Sequence, residues 1–120
     1  ATDLELADLD LSSAPGHDPI VFPHGVNVEF TRTVDQDALR MRVHERGVGE
    51  TRSCGTGTVA AVAAALRRAG RTRAEVAVHI PGGTVVVAIN EGEATLTGPA
   101  VLVAKGELSA QWWAEANLAD

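Results

Sequence analysis

The sequence predicts an α+β domain in which a curled, mostly antiparallel sheet wraps around one central buried helix. Residues 56–69 are mostly Ala, Val and Leu and stop before Gly70, as a helix does. Segments on both sides of them alternate apolar and polar residues, which is the period of β-strands. Because residues 59–66 include no polar side chain, the helix is expected to be buried on all sides. A sheet that curls around the helix would bury it in this way.

Composition narrows the class of protein. A chain of 120 residues with 45% hydrophobic and 22% charged residues is typical of one globular domain. The formal net charge of −6 argues against a nucleic-acid-binding surface. No apolar run approaches the roughly 20 residues of a membrane span, and no signal peptide opens the chain. A single cysteine cannot form an internal disulfide. The composition therefore predicts a cytoplasmic protein without nucleic-acid or membrane partners.

The first 24 residues carry the weakest pattern. The leucines among the acidic residues at positions 4, 6, 9 and 11 fit either a short strand or a helical turn. Residues 12–23 are rich in Pro, Gly, Ser and Asp and predict a connection made of turns. His17 and His24 lie in or beside this connection, without a second ligand at a spacing typical of metal sites.

A β-hairpin follows. Residues 26–31 alternate, and so do residues 39–44, with a turn predicted at residues 35–37 between them. The alternation puts Glu45 in phase with the apolar residues Leu39, Met41 and Val43. A carboxylate on the buried side needs a partner. A ligand ammonium group is one candidate, and a strand end that turns Glu45 to solvent is the other reading.

After the helix, the pattern returns to strands. Arginines at positions 67, 68, 71 and 73 suit the C-terminal end of a helix better than a phosphate patch, given the acidic balance. Strands are predicted at residues 75–80, 84–90, 93–97 and 101–104, with turns at 81–83 and 91–92. Residues 111–120 are predicted to form a terminal helix whose tryptophans, Trp112 and Trp113, dock on the body of the domain or on a neighbour.

Cys54 lies where the predicted helix begins, and its surroundings favour a functional thiol. A helix N-terminus favours thiolate over thiol and offers free N–H groups to an anion such as a carboxylate. Glycines at positions 55 and 57 leave the backbone open to a ligand. A base beside a carboxylate cradle suits the abstraction of a proton next to a carboxylate. An inert buried cysteine is the structural alternative, while a phosphate loop, a zinc site and a thiol hydrolase each lack supporting residues.

Residues 45–57, Glu-Arg-Gly-Val-Gly-Glu-Thr-Arg-Ser-Cys-Gly-Thr-Gly, resemble the second cysteine motif of diaminopimelate epimerases. Residues 25–30, Gly-Val-Asn-Val-Glu-Phe, match the family at its usual spacing. His44 replaces the Trp or Tyr common just before the motif, a difference that we expect to be tolerated. Proline racemases share the Cys-Gly-Thr-Gly-Thr block, but the segment before it resembles the epimerases.

The resemblance implies an isomerase that needs no cofactor, and no pyridoxal phosphate in particular. Its two similar halves face each other across the site and interconvert LL- and meso-diaminopimelate for lysine and peptidoglycan synthesis. One cysteine removes the α-proton and the other returns a proton to the opposite face. The first-half motif and the Asn-Pro-His segment that opens the second half are absent here. The chain is therefore similar to an isolated C-terminal half, residues 1–120 forming one domain that is inactive without the N-terminal half.

The resemblance also implies roles for individual residues. Cys54 would be one of the two acid/base thiols and the proton donor in the LL-to-meso direction. The N–H groups of Gly55 and Thr56 would hold the reacting carboxylate and stabilise the charge that develops on it.

Three further residues would bind the rest of the substrate. Glu45 would take the reacting ammonium group, and Arg46 would bind the distal carboxylate with help from Asn27. The partners implied are diaminopimelate, the N-terminal half of the same enzyme and, as a further candidate, a second copy of the chain. The alternatives to this function are a proline or hydroxyproline racemase half, and a non-catalytic binding or dimerisation domain with a structural cysteine.

Overall fold

A computed structural model of the chain describes residues 6–116, which form an α+β domain as predicted. The six strands are β1 (Val28–Asp35), β2 (Ala38–Glu45), β3 (Gly49–Thr51), β4 (Arg73–Ile80), β5 (Gly83–Asn90) and β6 (Glu93–Thr97). The helices α1 (Gly55–Arg68) and α2 (Ala110–Ala116) lie within the described part. Neither of these helices has the length and apolarity needed to cross a membrane.

The strands form one sheet that is mostly antiparallel, which confirms the prediction. Its order is β1-β2-β4-β5-β6, and β3 pairs with the end of β2. The parallel pair is β2–β4, and the chain between these two strands carries α1 across one face of the sheet. Parallel strands need such a crossover. The crossover therefore fixes which face of the sheet the helix covers.

Alternation in the sequence located the hairpins correctly. β1 and β2 pair around a turn at residues 36–37, where the Asp37 amide donates to Asp35 Oδ1 at 2.9 Å. β4 and β5 pair from Ile80 and Gly83 outward. The turn between β5 and β6 has positive φ at Glu91 and Gly92, as the predicted turn there requires.

Parts of the fold differ from the prediction. β3 was not expected, because a strand of three residues is too short to show a period. Residues 101–104 were expected to form a strand, but they are exposed and unpaired, so an apolar run alone did not identify a strand. Trp112 and Trp113 are 53% and 57% exposed, with ring centroids 6.4 Å apart, and their docking on the body or on a neighbour stays a prediction. The last four residues of the predicted terminal helix, 117–120, lie outside the described residues.

The core is aliphatic and lies between α1 and the sheet. Its buried members come from β2, α1, β4 and β5: Leu39, Met41, Ala61, Val62, Leu66, Val76, Val78 and Val87. We expected α1 to be buried on all sides, but it is buried on one side only, since Ala60, Ala63 and Ala64 are exposed. The reason is that the sheet does not close, and an open cleft of about 770 Å³ separates α1 from β1.

The side of β1 that faces α1 is polar. Directly paired residues of antiparallel strands share a face, and Glu29 pairs with Val43 while Thr31 pairs with Met41. The apolar residues Val28 and Phe30 consequently lie on the outer face. This arrangement directs the Glu29 side chain towards the beginning of α1.

The outer face of the sheet is covered near β2 by the N-terminal segment. Arg42 binds this segment through Nη1, which donates to three backbone carbonyls at 2.7–3.0 Å, those of Leu6, Ala7 and Leu9. Leu6 and Leu11 are buried, and residues 6–7 are helical, which fits the helical-turn reading. Leu4 lies outside the described residues.

Arg42 also pairs with Glu50 on this outer face. Nε and Nη2 donate to the two carboxylate oxygens at 2.7 and 2.9 Å. This paired contact raises the pKa of Arg42 and lowers the pKa of Glu50. Next to the pair, His44 is buried and its Nδ1 has no hydrogen-bond partner.

Candidate active site

Cys54 is the N-cap residue of α1, the position that the sequence predicted. Its backbone is extended, with φ −138° and ψ 107°, and its carbonyl accepts hydrogen bonds from the amide and the hydroxyl of Thr58 at 2.9 and 2.7 Å. The side chain makes no capping hydrogen bond, and the first turn of α1 contains no acidic residue. The first N–H groups of a helix lack partners within it. The Cys54 thiol, 8% exposed, therefore lies beside N–H donors that no side-chain cap occupies.

Gly57 lies in front of these donors, where two side chains approach the backbone closely. A Cβ on Gly57 would overlap the Glu29 carboxylate and lie 3.2 Å from Cys54 Sγ. At Gly55, by contrast, a Cβ would meet nothing within 4 Å. Gly55 and Thr56 are exposed. Their N–H groups are therefore open to a ligand, while Gly57 makes room for a carboxylate next to the thiol.

The loop that leads to Cys54 is held by the turn between β4 and β5. The Gly82 amide donates to the Arg52 carbonyl at 2.8 Å, and Arg52 Nη2 donates to the Pro81 carbonyl at 3.3 Å. A Cβ on Gly82 would lie 2.9 Å from the same Arg52 oxygen. These contacts fix the approach of the chain to Cys54 and so help to position the thiol.

Glu45 ends β2 with its carboxylate half-buried. The Thr51 hydroxyl donates to Glu45 Oε1 at 2.5 Å. β3 makes this contact, because its Thr51 pairs with Val43 and lies on the same face as Glu45. An ionised carboxylate can accept about four hydrogen bonds, so the Thr51 bond leaves Glu45 able to accept several from a cation.

Asn27 and Arg46 lie together at the exposed rim of this edge. The Arg46 amide donates to Asn27 Oδ1 at 2.8 Å, and Arg46 Nη1 donates to the His24 carbonyl at 3.4 Å. Gly25 has φ +79°, and a Cβ there would lie 3.1 Å from the Arg46 side chain. The guanidinium group is exposed and oriented by these contacts, as a binding group for a carboxylate would be.

These contacts bring Asn27 and Arg46 together at the rim of the sheet, leave Glu45 at the end of β2 beside Thr51, and place Cys54, Gly55 and Thr56 at the start of α1. Two further residues, Glu29 and Thr51, were missed. Period two places Glu29 on the same face as Asn27, two residues earlier in the strand, which was the available signal. Thr51 left no such signal, because its contact with Glu45 depends on the unexpected β3.

These groups together suit a zwitterionic ligand with a second carboxylate. The start of α1 offers N–H donors to one carboxylate, Glu45 offers a carboxylate to an ammonium group, and Arg46 offers a guanidinium group to a distal anion. Cys54 supplies a group that can give or take a proton. Within residues 6–116, no three His, Cys, Asp or Glu side chains come close enough to hold a metal ion.

Comparisons with known proteins agree on one family. The family model described as diaminopimelate epimerase matches residues 12–107. The chain is 62% identical over 112 residues to the diaminopimelate epimerases of Rhodococcus opacus and Rhodococcus jostii, covering 93% of this chain and 39% of each relative. It is 56% identical over 113 residues to that of Mycolicibacterium gilvum, covering 94% and 39%. The chain therefore spans about two fifths of the length of these relatives.

Proposed function

This chain belongs to the diaminopimelate epimerase family, and on that premise we propose that it is the C-terminal part of an enzyme that interconverts LL- and meso-diaminopimelate. The proposed enzyme uses two cysteines and no cofactor, pyridoxal phosphate included, and serves lysine and peptidoglycan synthesis. The observation that carries the proposal is the Cys54 thiol at the N-cap of α1, beside N–H groups that no side chain caps.

In the proposed reaction, Cys54 protonates the α-carbon in the LL-to-meso direction. A cysteine thiolate from the other part of the enzyme first removes the α-proton, and the electron pair of the broken C–H bond delocalises into the α-carboxylate. The N–H groups of Gly55 and Thr56 donate to this carboxylate and stabilise the added charge. The Cys54 S–H bond then breaks as a new C–H bond forms on the opposite face, which inverts the carbon.

The remaining groups fix the substrate in one orientation. The Glu45 carboxylate, held by Thr51, binds the α-ammonium group. The Arg46 guanidinium group, which donates to the His24 carbonyl, binds the distal carboxylate, and Asn27 holds the Arg46 backbone amide. A substrate held at three points presents its α-carbon to Cys54 at a defined distance, and such positioning supplies a large part of the catalytic effect.

The N-terminal half is the proposed partner of the chain. Inversion by two bases needs groups on both faces of the carbon, and Cys54 serves one face. The exposed rim that carries Asn27, Arg46 and the start of α1 offers a surface for that half to cover. We therefore expect the 120-residue chain alone to be inactive, unless a second copy supplies another thiol.

Two alternative functions differ in what they require of Arg46 and Cys54. A proline or hydroxyproline racemase half would not need a group for a distal carboxylate, so the exposed Arg46 favours the longer diacid. A binding or dimerisation domain with a structural cysteine draws support from the low exposure of Cys54. Alkylation of Cys54 at neutral pH at the rate of a free thiol would argue against such a domain.

The test follows the α-proton of LL-diaminopimelate in heavy water by NMR. It compares the full-length enzyme, its Cys54→Ser variant, a Ser53→Ala control and the 120-residue chain. We expect exchange and inversion in the full-length enzyme and the control, and a loss of about a thousandfold or more in Cys54→Ser, as for the removal of a proton-transfer group. The lone chain should be silent. An active Cys54→Ser variant would make Cys54 structural.

A further inference from the structure

We propose that Glu29 exchanges protons between Cys54 and solvent, so that Cys54 is reloaded with a proton after each turnover. This inference rests on the proposed function and assigns Glu29 a role that the two-cysteine scheme does not include. Glu29 acts through Cys54 and is therefore a proton-exchange residue without its own contact to the substrate.

The geometry places the Glu29 carboxylate beside the thiol. Glu29 lies on the face of β1 that is turned towards α1, opposite Val43. Its carboxylate and Cys54 Sγ border the same small space above Gly57, where a Cβ would overlap the carboxylate and lie 3.2 Å from the sulfur. Both groups approach the position of this Cβ, so the carboxylate and Sγ are close enough for one water molecule to bridge them. Proton transfer between Glu29 and Cys54 through one water is therefore within reach.

The exposure of Glu29 connects this space to solvent. Cys54 is buried, whereas Glu29 is half-buried and lines the open cleft between β1 and α1. A group in contact with both the cleft and the thiol can pick up a proton on one side and deliver it on the other. A thiol enclosed by substrate on its open side would otherwise depend on water entering past the ligand.

The chemistry of two-base inversion requires such an exchange. After one turnover from LL to meso, Cys54 is a thiolate and the other cysteine holds the proton taken from the substrate. The next turnover in the same direction needs a proton on Cys54, and the other cysteine has to release its proton to solvent. In the proposed step, the O–H bond of the protonated Glu29 carboxyl breaks and the S–H bond of Cys54 forms. The Glu29 carboxylate then takes a proton from water or buffer acid in the cleft, and the reverse direction uses the same steps backwards.

The other carboxylates near the start of α1 make different contacts. Glu45 is held by Thr51 and faces the ammonium group in the proposed complex. Glu50 lies on the outer face of the sheet and pairs with Arg42. The first turn of α1 contributes no acidic residue. Among the carboxylates on these elements, Glu29 is the one that shares a space with Cys54 Sγ.

The first test is the Glu29→Gln variant of the full-length enzyme, which keeps the shape of the side chain but cannot exchange a proton. We expect kcat to fall roughly tenfold, less than the 10²–10⁴ of a group that transfers protons to substrate, because water still reloads the thiol slowly. The ratio kcat/KM should change by less than about twofold, since free enzyme has time to regain its proton at low substrate concentration. Glu93→Gln, the same change on exposed β6, is the matched control.

The second test is chemical rescue of Glu29→Ala, which opens the space beside the thiol to a small proton carrier. Raising the imidazole buffer concentration at constant pH and ionic strength should restore kcat in this variant and leave the wild-type kcat unchanged. Glu29→Asp, which keeps a carboxylate, should retain more activity than Glu29→Gln. A purely structural role of Glu29 would produce neither the rescue nor the constant kcat/KM.

The outcomes separate this inference from the proposed function. Wild-type kcat in Glu29→Gln, or a Glu29→Ala enzyme that buffer does not rescue, would overturn the role of Glu29 and leave the epimerase intact. A fall in kcat/KM as large as that in kcat would also overturn it, because it would place Glu29 in substrate binding. A full-length wild-type enzyme that does not epimerise diaminopimelate would overturn the proposed function and this inference with it.

Discussion

The two ends of α1 are built differently. At the C-terminal end, Gly70 has φ +67°, its amide donates to the Arg67 carbonyl at 3.2 Å, and the Arg71 amide donates to the Leu66 carbonyl at 2.9 Å. This pair of hydrogen bonds is the Schellman motif. At the N-terminal end, Cys54 makes no side-chain capping bond and the first turn has no acidic residue. One end is closed by the chain itself, and the other is left to solvent or a ligand.

The side-chain contacts also differ between the two ends of α1. Arg71 ties the closed end to the turn between β1 and β2, donating to Asp37 Oδ1 at 2.8 Å and to the Gln36 carbonyl at 2.9 Å. At the N-terminal end, which is open, the carboxylate of Glu29 from β1 lies beside the Cys54 thiol. A good cap at position 54 would contribute about 1 kcal/mol to stability. The chain carries a cysteine there instead, which indicates that this end is organised for a ligand.

After Cys54→Ser, the largest effect is expected from Glu45→Gln. The change removes the charge that binds the substrate ammonium group in the proposed complex, and hydrogen bonds to charged groups contribute about 1.5–3 kcal/mol. We expect kcat/KM of the full-length enzyme to fall by about ten- to a hundredfold, mainly through KM, in steady-state assays. Glu75→Gln, at an exposed position of β4, is the control. A variant with unchanged KM would remove Glu45 from the binding site.

Gly57→Ala should affect activity more than folding. The added Cβ has to displace the end of the flexible Glu29 side chain and would crowd Cys54 Sγ, while Ala favours a helix by up to about 1 kcal/mol. We expect kcat to fall at least roughly tenfold, as in Glu29→Gln, and the melting temperature to stay or rise. A large loss of stability at full activity would contradict the assignment of this end to function.

Gly70→Ala is the counterpart at the closed end. Ala in the left-handed conformation costs about 1 kcal/mol, and the position is remote from Cys54. We expect the free energy of unfolding to fall by about that amount in urea titrations, with kcat and KM of the folded enzyme unchanged. Loss of activity without loss of stability would contradict the view that the C-terminal end of α1 serves stability and the N-terminal end serves function.

The smallest expected effect is that of Glu50→Gln on the free energy of unfolding. Glu50 lies on the outer face of the sheet, away from both ends of α1. The hydrogen bond from Arg42 lowers the pKa of Glu50 in the folded state. The stability that Glu50 contributes is therefore present above its unfolded pKa, near 4.5, and lost as the pH falls through the lower folded value. Unfolding of wild type and Glu50→Gln should differ by about 0.5 kcal/mol at pH 7 and converge in acid. A constant difference across this range would refute the linkage.

Much of the fold could be predicted from local pattern. Period two located β1, β2 and β4, the turns at 81–83 and 91–92 delimited β5 and β6, and the Ala-rich run with Gly70 bounded α1 to within one residue at each end. The unpaired residues 101–104 show the limit of this reasoning. Their apolar run looks like a strand, but a strand needs a neighbour to pair with, and sequence does not say where neighbours lie.

The site was predicted where it depended on adjacent residues and missed where it depended on packing. Cys54 and the helix start after it are neighbours in the chain, so their juxtaposition followed from the sequence. Glu29 and Thr51 reach the site through strand register. The polar side of β1 faces α1, which the hydrophobicity of Val28 and Phe30 would not have suggested.

The sequence by itself determined the element types, the aliphatic core, the N-cap position of Cys54 and the family, because these follow from periodicity and short motifs. Tertiary structure alone decided that one side of α1 stays open, that Thr51 holds Glu45 and that Glu29 meets Cys54 above Gly57. Each of these contacts depends on the pairing of strands that are distant in the chain, and a shift in register by one residue would turn each side chain to the opposite face.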